Sequence, residues 1–262
     1  MSNNIGFESR KFFDRQMQLF GNKGQQDISN STVLIINLSP IHSELVKNLV
    51  LLGFNIDIID SSNIDNNDLS TILFFSEEDK NLIGQDKSET IVKKLKEMNP
   101  FSKVNKINQE IKEIDFSKYK VIFNCPSNYN DIIDCNNALK SFDHILITSL
   151  SGFCVNYSFI EYRLNNVENK IRFLSDSNYV LTNDSEFLKN YQTGMKDTLS
   201  ALNNRNNSFF VFDSILGSLL SQLMLSLLLE GVEVLKFNCV NYDMFGSQEF
   251  PLNSGTLNLL NF

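Results

Sequence analysis

The chain has no closely spaced cysteines and almost no histidine. Its four cysteines, Cys125, Cys135, Cys154 and Cys239, lie far apart, and His42 and His144 are its only two histidines. Structural zinc needs ligands in close pairs, so the spacing argues against a zinc site. In a reducing compartment the four thiols are expected to act as small buried hydrophobes. A nucleophilic cysteine served by His42 or His144 stays open, although the spacing gives it no support. Basic clusters are also missing. A formal net charge of −8 argues against nucleic-acid or anionic-membrane partners, whose binders gather Lys and Arg on one face. Long apolar runs are absent too. The most apolar stretch extends only from Ser214 to Leu229 and carries Ser218, Ser221, Gln222 and Ser226. It falls short of the roughly 20 residues that cross a bilayer and reads as a buried core helix. Met1 to Arg10 holds no apolar signal core, so an intracellular site is expected.

What is present is ordinary globular material. Hydrophobic residues make up 42% and charged residues 21% of 262, enough for one sizeable core, with or without a small lobe. Helical spacing of Phe12, Phe13, Met17 and Phe20 predicts an opening helix over Glu8–Ile28, with Gly21 and Gly24 as possible breaks. Val33–Ile36 is a short continuous apolar run, as in strands buried on both faces. A helix is expected over Ser43–Leu52, stopped at Gly53, then a strand over Ile56–Ile59 closed by Asp60. A helix over Lys87–Met98 should end before Asn99-Pro100, because the residue before proline avoids the helical region. Further strands are expected at Val104–Ile107, Val121–Phe123 and Ile145–Thr148, with a helix over Asp131–Leu139.

This alternation implies an α/β fold, Rossmann-like and doubly wound, with a mostly parallel sheet and helices on both faces. It is expected over residues 1–160. Val155–Phe159 alternates like a half-exposed strand. Residues 161–208, rich in Asn, Ser, Lys and Asp, form a variable insert or loop region without clear periodicity. Residues 209–262 should complete the same domain with a helix from about Asp213 and a strand over Phe237–Met244.

Three segments carry a family likeness. Phe13-Asp14-Arg15-Gln16-Met17-Gln18-Leu19-Phe20-Gly21, followed by Gly24-Gln25, resembles the Tyr-Asp-Arg-Gln-x-x-Leu-Trp-Gly-x-x-x-Gln opening of ubiquitin-like-protein-activating enzymes. Glu44–Gly53 resembles their Glu-x-x-Lys-Asn-Leu-x-Leu-x-Gly helix, and Gly84–Pro100 their Gly-x-x-Lys helix ending in Asn-Pro. The resemblance spans residues 12–150, is weaker over 209–252, and is absent over 163–207. It implies an adenylation-domain fold.

The departures from that family concern its nucleotide site. Active members hold ATP over a glycine-rich turn after the first strand, where glycine lets backbone N–H groups approach phosphates. Here the turn reads Asn37-Leu38-Ser39-Pro40-Ile41-His42. All three glycines are gone, Pro40 lacks a donor, and the side chains of Asn37 and His42 are expected to fill nucleotide space. The arginine-bearing motif after the second strand falls at Asp68–Phe75 and has no arginine. Ser127 stands where the family's magnesium-holding Asp belongs, and Ser is a poor magnesium ligand. Lys87 and Asp60 survive at nucleotide positions. The bland alternatives are a solvated helix lysine and a strand-end cap.

The resemblance therefore implies a degenerate ATP site and a chain inactive by itself. No cofactor is expected on this chain; ATP and magnesium would sit on a larger catalytic partner subunit, as a heterodimer. Arg15 matches the arginine that the family supplies in trans to the partner's ATP. A guanidinium can meet the charge of departing pyrophosphate bidentately, and the competing assignment is a surface ion pair with Asp14. Length favours a subunit serving a ubiquitin-like modifier of the SUMO type over the regulatory subunit of the cullin-modifier-activating enzyme, which carries a large insertion. The nucleus, the cytoplasm or both are the implied location. Three further classes remain open: an autonomous adenylating enzyme, a dinucleotide-dependent oxidoreductase using Asp60, and an interaction scaffold without a catalytic arginine.

Overall fold

The computed structural model describes residues 7–126, 135, 138, 144–150, 155–163, 171–173, 180–182, 210–229 and 240–243. The chain opens with α1 (Phe7–Phe12) and α2 (Asp14–Asn30). The single opening helix expected from periodicity is thus divided at Phe13. It is bent again at Gly21, whose φ of 73° lies in the left-handed region. Gly24 stays helical, and a Cβ there would lie 2.9 Å from that of Phe20. One glycine bends the chain, and the other allows close packing. Phe13 is buried, with its ring edge-on to Phe12 and Phe101.

After α2 come β1 (Thr32–Ile36), α3 (Pro40–Leu52) and β2 (Asn55–Ile59). Helix α3 begins three residues before the expected Ser43. Ser39 caps it by accepting from His42 N at 3.2 Å, and Pro40 occupies the first turn, where its fixed φ is suitable. Gly53 ends it in the left-handed conformation, returning its N–H to Leu49 and Val50. A short α4 (Asp68–Thr71) precedes α5 (Lys87–Met98), whose limits match the expected ones. Asp86 caps α5 through Glu89 N at 2.8 Å. Next are β3 (Val104–Lys106), β4 (Val121–Asn124), β5 (His144–Leu150) and β6 (Val155–Arg163). Of the helix expected over 131–139, Cys135 and Ala138 are helical and the rest lies outside the described residues.

Residues 161–208 hold two short strands that periodicity does not reveal, β7 (Ile171–Phe173) and β8 (Val180–Thr182), paired antiparallel. Helix α6 (Phe210–Leu228) and β9 (Val240–Asp243) follow. The main sheet runs β3-β2-β1-β4-β5-β6-β9. The first five strands are parallel, and β6 and β9 extend the sheet antiparallel. This is the α/β doubly wound arrangement, with the order reversing between β1 and β4.

Alternation in the parallel strands supplies cores on both faces. Val33, Ile35, Ile56, Ile58, Val121 and Phe123 pack beneath α3, α5 and α6, whereas Leu34, Ile36 and Ile122 face a smaller cluster with Phe116, Tyr119 and Cys135. Cys135 is the buried hydrophobe expected of it; Cys154 and Cys239 lie outside the described residues. Helix α6 is a core helix, contributing Leu216, Leu220, Leu223 and Met224. Among the described residues no helix is long and apolar enough to cross a membrane. Gly217 lets α6 close on α3, because a Cβ there would stand 2.7 Å from both the Ile41 carbonyl and Glu44 Cβ.

Candidate functional site at the strand carboxyl ends

In a doubly wound sheet the ligand crevice opens at the carboxyl ends of the strands where the order reverses. Here that place is roofed by the Asn37–His42 turn, the chain after β2, the start of α5 and the residues after β4. Asn37 has φ 61°, the only non-glycine with positive φ among the described residues. The turn therefore bends as a glycine would, although it carries side chains. Three of its backbone donors are engaged from within. Asn37 N donates to Ile59 O at 2.8 Å, Leu38 N to Asp60 Oδ2 at 2.6 Å, and His42 N to Ser39 Oγ. Pro40 has none to offer. An anion arriving at these three would have to displace the chain's own acceptors.

His42 corrects one expectation. Its side chain does not stand in nucleotide space but turns inward, wholly buried, edge-on to Phe123 with ring centroids 6.5 Å apart. Nδ1 lies 2.8 Å from Asn37 O, so this nitrogen carries the proton, and Nε2 is buried without a hydrogen-bond partner. Burial pushes the pKa of His42 down to about 4, against the opposing pull of the Asn37 carbonyl and the Asp60 charge. The imidazole is neutral at physiological pH.

Asp60 and Lys87 are both accounted for. The Asp60 carboxylate takes Leu38 N on one oxygen, and Ser62 N (2.7 Å) and Ser62 Oγ (2.5 Å) on the other. It is a cap that pins the turn to the end of β2. Lys87 is not a solvated helix residue. Its Nζ lies 2.9 Å from Asp68 Oδ1, and the two side chains are only 11% and 8% exposed. The remaining Asp68 oxygen accepts Asp65 N at 3.0 Å. In the Asp68–Phe75 segment, Lys94 donates to the Phe74 carbonyl and lies over the Phe75 ring.

Cys125 sits on the same rim, its N–H donating to Ile36 O at 3.0 Å. Burial pushes its thiol up to about 11; a hydrogen bond with Ser39 opposes this, as does the Lys87 charge, while the Asp213 and Asp60 charges add to the rise. A thiol held protonated in this way is no activated nucleophile. The His144 side chain and Ser127 lie outside the described residues. Among the described residues no cluster of His, Cys, Asp and Glu could hold a metal ion. Leu38 N, the Asp60 carboxylate and the Lys87 ammonium, groups that could meet a nucleotide here, are each bound to another part of the chain.

Arg15 stands apart from this cluster, on the exposed face of α2. It has no ion pair or hydrogen bond among the described residues. The Asp14 carboxylate instead accepts from Gln18 Nε2 at 2.9 Å, so the Asp14 ion pair does not form. Gln16 anchors this stretch by donating to Leu51 O, and Leu19, one turn beyond Arg15, is 75% exposed. Sequence reasoning missed two residues of the strand-end cluster, Asp68 and Asp213. Asp213 has a signal: it is the one charged residue of the helix Phe210–Leu228.

Comparison with known proteins follows this geometry. A model of the ThiF family matches residues 13–253. The DNA damage tolerance protein rad31 of Schizosaccharomyces pombe is 32% identical over 143 residues, 53% of this chain and 46% of that protein. SUMO-activating enzyme subunit 1 of Dictyostelium discoideum is 29% identical over 134 residues, 50% of this chain and 40% of that protein. The chain therefore spans less than half the length of these relatives. The crystal structure of Escherichia coli MccB with succinimide shares the fold, with a TM-score of 0.60 at 14% identity, covering 94% of this chain and 71% of that one.

Proposed function

This chain belongs to the ThiF family, and on that premise we propose that it is the non-catalytic subunit of a heterodimeric enzyme activating a ubiquitin-like protein of the SUMO type. The observation that carries this is the turn after β1. The amides of Asn37, Leu38 and His42 are engaged by Ile59, Asp60 and Ser39 and Pro40 has none, which breaks the continuous run of free N–H groups that would cradle a triphosphate. ATP and magnesium belong on the larger partner, and a location in the nucleus, the cytoplasm or both goes with that assignment. The likeness to SUMO-activating enzyme subunit 1 supports the choice of modifier.

What this chain supplies is Arg15. Adenylation of a carboxylate releases pyrophosphate, and negative charge gathers on the departing group. An exposed guanidinium with no partner among the described residues can meet that charge from across a subunit interface, at a small cost in prior interactions. The exposed Leu19 on the same stretch gives the interface an apolar contact beside the charge. The test is ATP–pyrophosphate exchange in the presence of the modifier. The isolated chain should give none and the reconstituted pair should give exchange; exchange by the isolated chain would overturn the proposal.

A further inference from the structure

The vestigial crevice holds donors of the kind an anion site uses, and four of them face carboxylates of the chain itself. Leu38 N, Ser62 N and Ser62 Oγ are taken by Asp60. The ammonium of Lys87 is taken by Asp68. Backbone N–H, hydroxyl and ammonium are the groups that bind phosphate-class anions. A cation as buried as Lys87 must have a counter-charge, since an unpaired one is strongly disfavoured. Asp68 is held in position to provide it. Asp68 N donates to Asp65 Oδ1 and Asp65 N returns to Asp68 Oδ2, which leaves Oδ1 aimed at Lys87. Lys87 is fixed in turn through its own N–H to Ser62 O. The Asp60, Lys87 and Asp213 charges all act on the Cys125 thiol, which brings these groups to one end of the sheet.

We propose that Asp68 is a built-in counter-anion occupying a latent phosphate-class anion site at Lys87, so that this half keeps its crevice closed without a ligand. Asp60 fastens the turn, and Asp68 decides whether the ammonium is available. The inference rests on the reading that this half takes no nucleotide, yet its test is separate. Exchange by the isolated chain would overturn that reading, whereas the measurement below concerns Asp68 alone.

The experiment follows thermal unfolding of the full chain with increasing inorganic pyrophosphate, at ionic strength matched with sodium chloride. It compares the natural protein, Asp68→Asn, and the double variant Asp68→Asn, Lys87→Met. The double variant has no buried charge left at this pair and sets the nonspecific response. The single variant should start with a lower midpoint and rise by several degrees more than the double variant, because ligand bound only to the folded state stabilises it. The natural protein should follow the double variant. A single variant that folds only when pyrophosphate is present supports the proposal equally. The proposal is overturned if the natural protein rises as much as Asp68→Asn, or if Asp68→Asn rises no more than the double variant. It is overturned as well if Asp68→Asn stays unfolded in pyrophosphate while the double variant folds.

Discussion

His42 gives the molecule a pH signature. Unfolded, its imidazole takes up a proton near 6.5; folded, burial delays this to about 4. The unfolded chain therefore binds more protons between these values, and stability rises with pH across that window. The contribution is complete above pH 6.5 and falls as acid is added, by about 3 kcal/mol near pH 4. Denaturant midpoints between pH 7 and 4.5 should show this slope, and His42→Gln, which cannot titrate, should flatten it. Equal slopes would assign the acid sensitivity elsewhere. The sequence placed His42 in the turn, but whether the ring points into the crevice or the core depends on Phe123, a residue of a distant strand. Lys87 and Asp60 were likewise legible as survivors of a nucleotide site, but their occupation by Asp68 and Leu38 was not.

Among the elements, α5 was readable because its stop, Asn99-Pro100, is local, and the structure adds a cap from the adjoining Asp86. The start of α3 was misplaced because its cap, Ser39, lies inside a turn read for its missing glycines. Strands β7 and β8 are three residues each, too short to show alternation. The α3–α6 crossing depends on one position. Gly217→Ala puts a methyl 2.7 Å from the Ile41 carbonyl, and since backbone cannot move aside like a side-chain tip, the helices must separate. The expected loss is about 1–3 kcal/mol, measured by equilibrium denaturation of the full chain. An unchanged midpoint would mean that the helices part more easily than this packing implies.

For the whole molecule, the proposed function assigns two roles to two surfaces, the crevice and the exposed Arg15. Arg15→Ala should leave the stability of the chain within about 0.5 kcal/mol, as for surface changes that break no contact. In the reconstituted pair it should slow adenylate formation about 100-fold or more, in line with the loss of a charge-stabilising donor. An undiminished rate would make the chain a scaffold alone. The sequence by itself determined the α/β class, the parallel strands, the core helix near the carboxyl end and the loss of the glycine turn. These depend on periodicity and on the backbone freedom of single residues, which neighbours along the chain decide. Only the tertiary structure decided that His42 turns inward, that Asp60 clamps Leu38, and that Asp68 neutralises Lys87. Those partners are far apart along the chain and meet only when the sheet assembles. Burial, which is what makes a charge require a counter-charge, does not exist before it does.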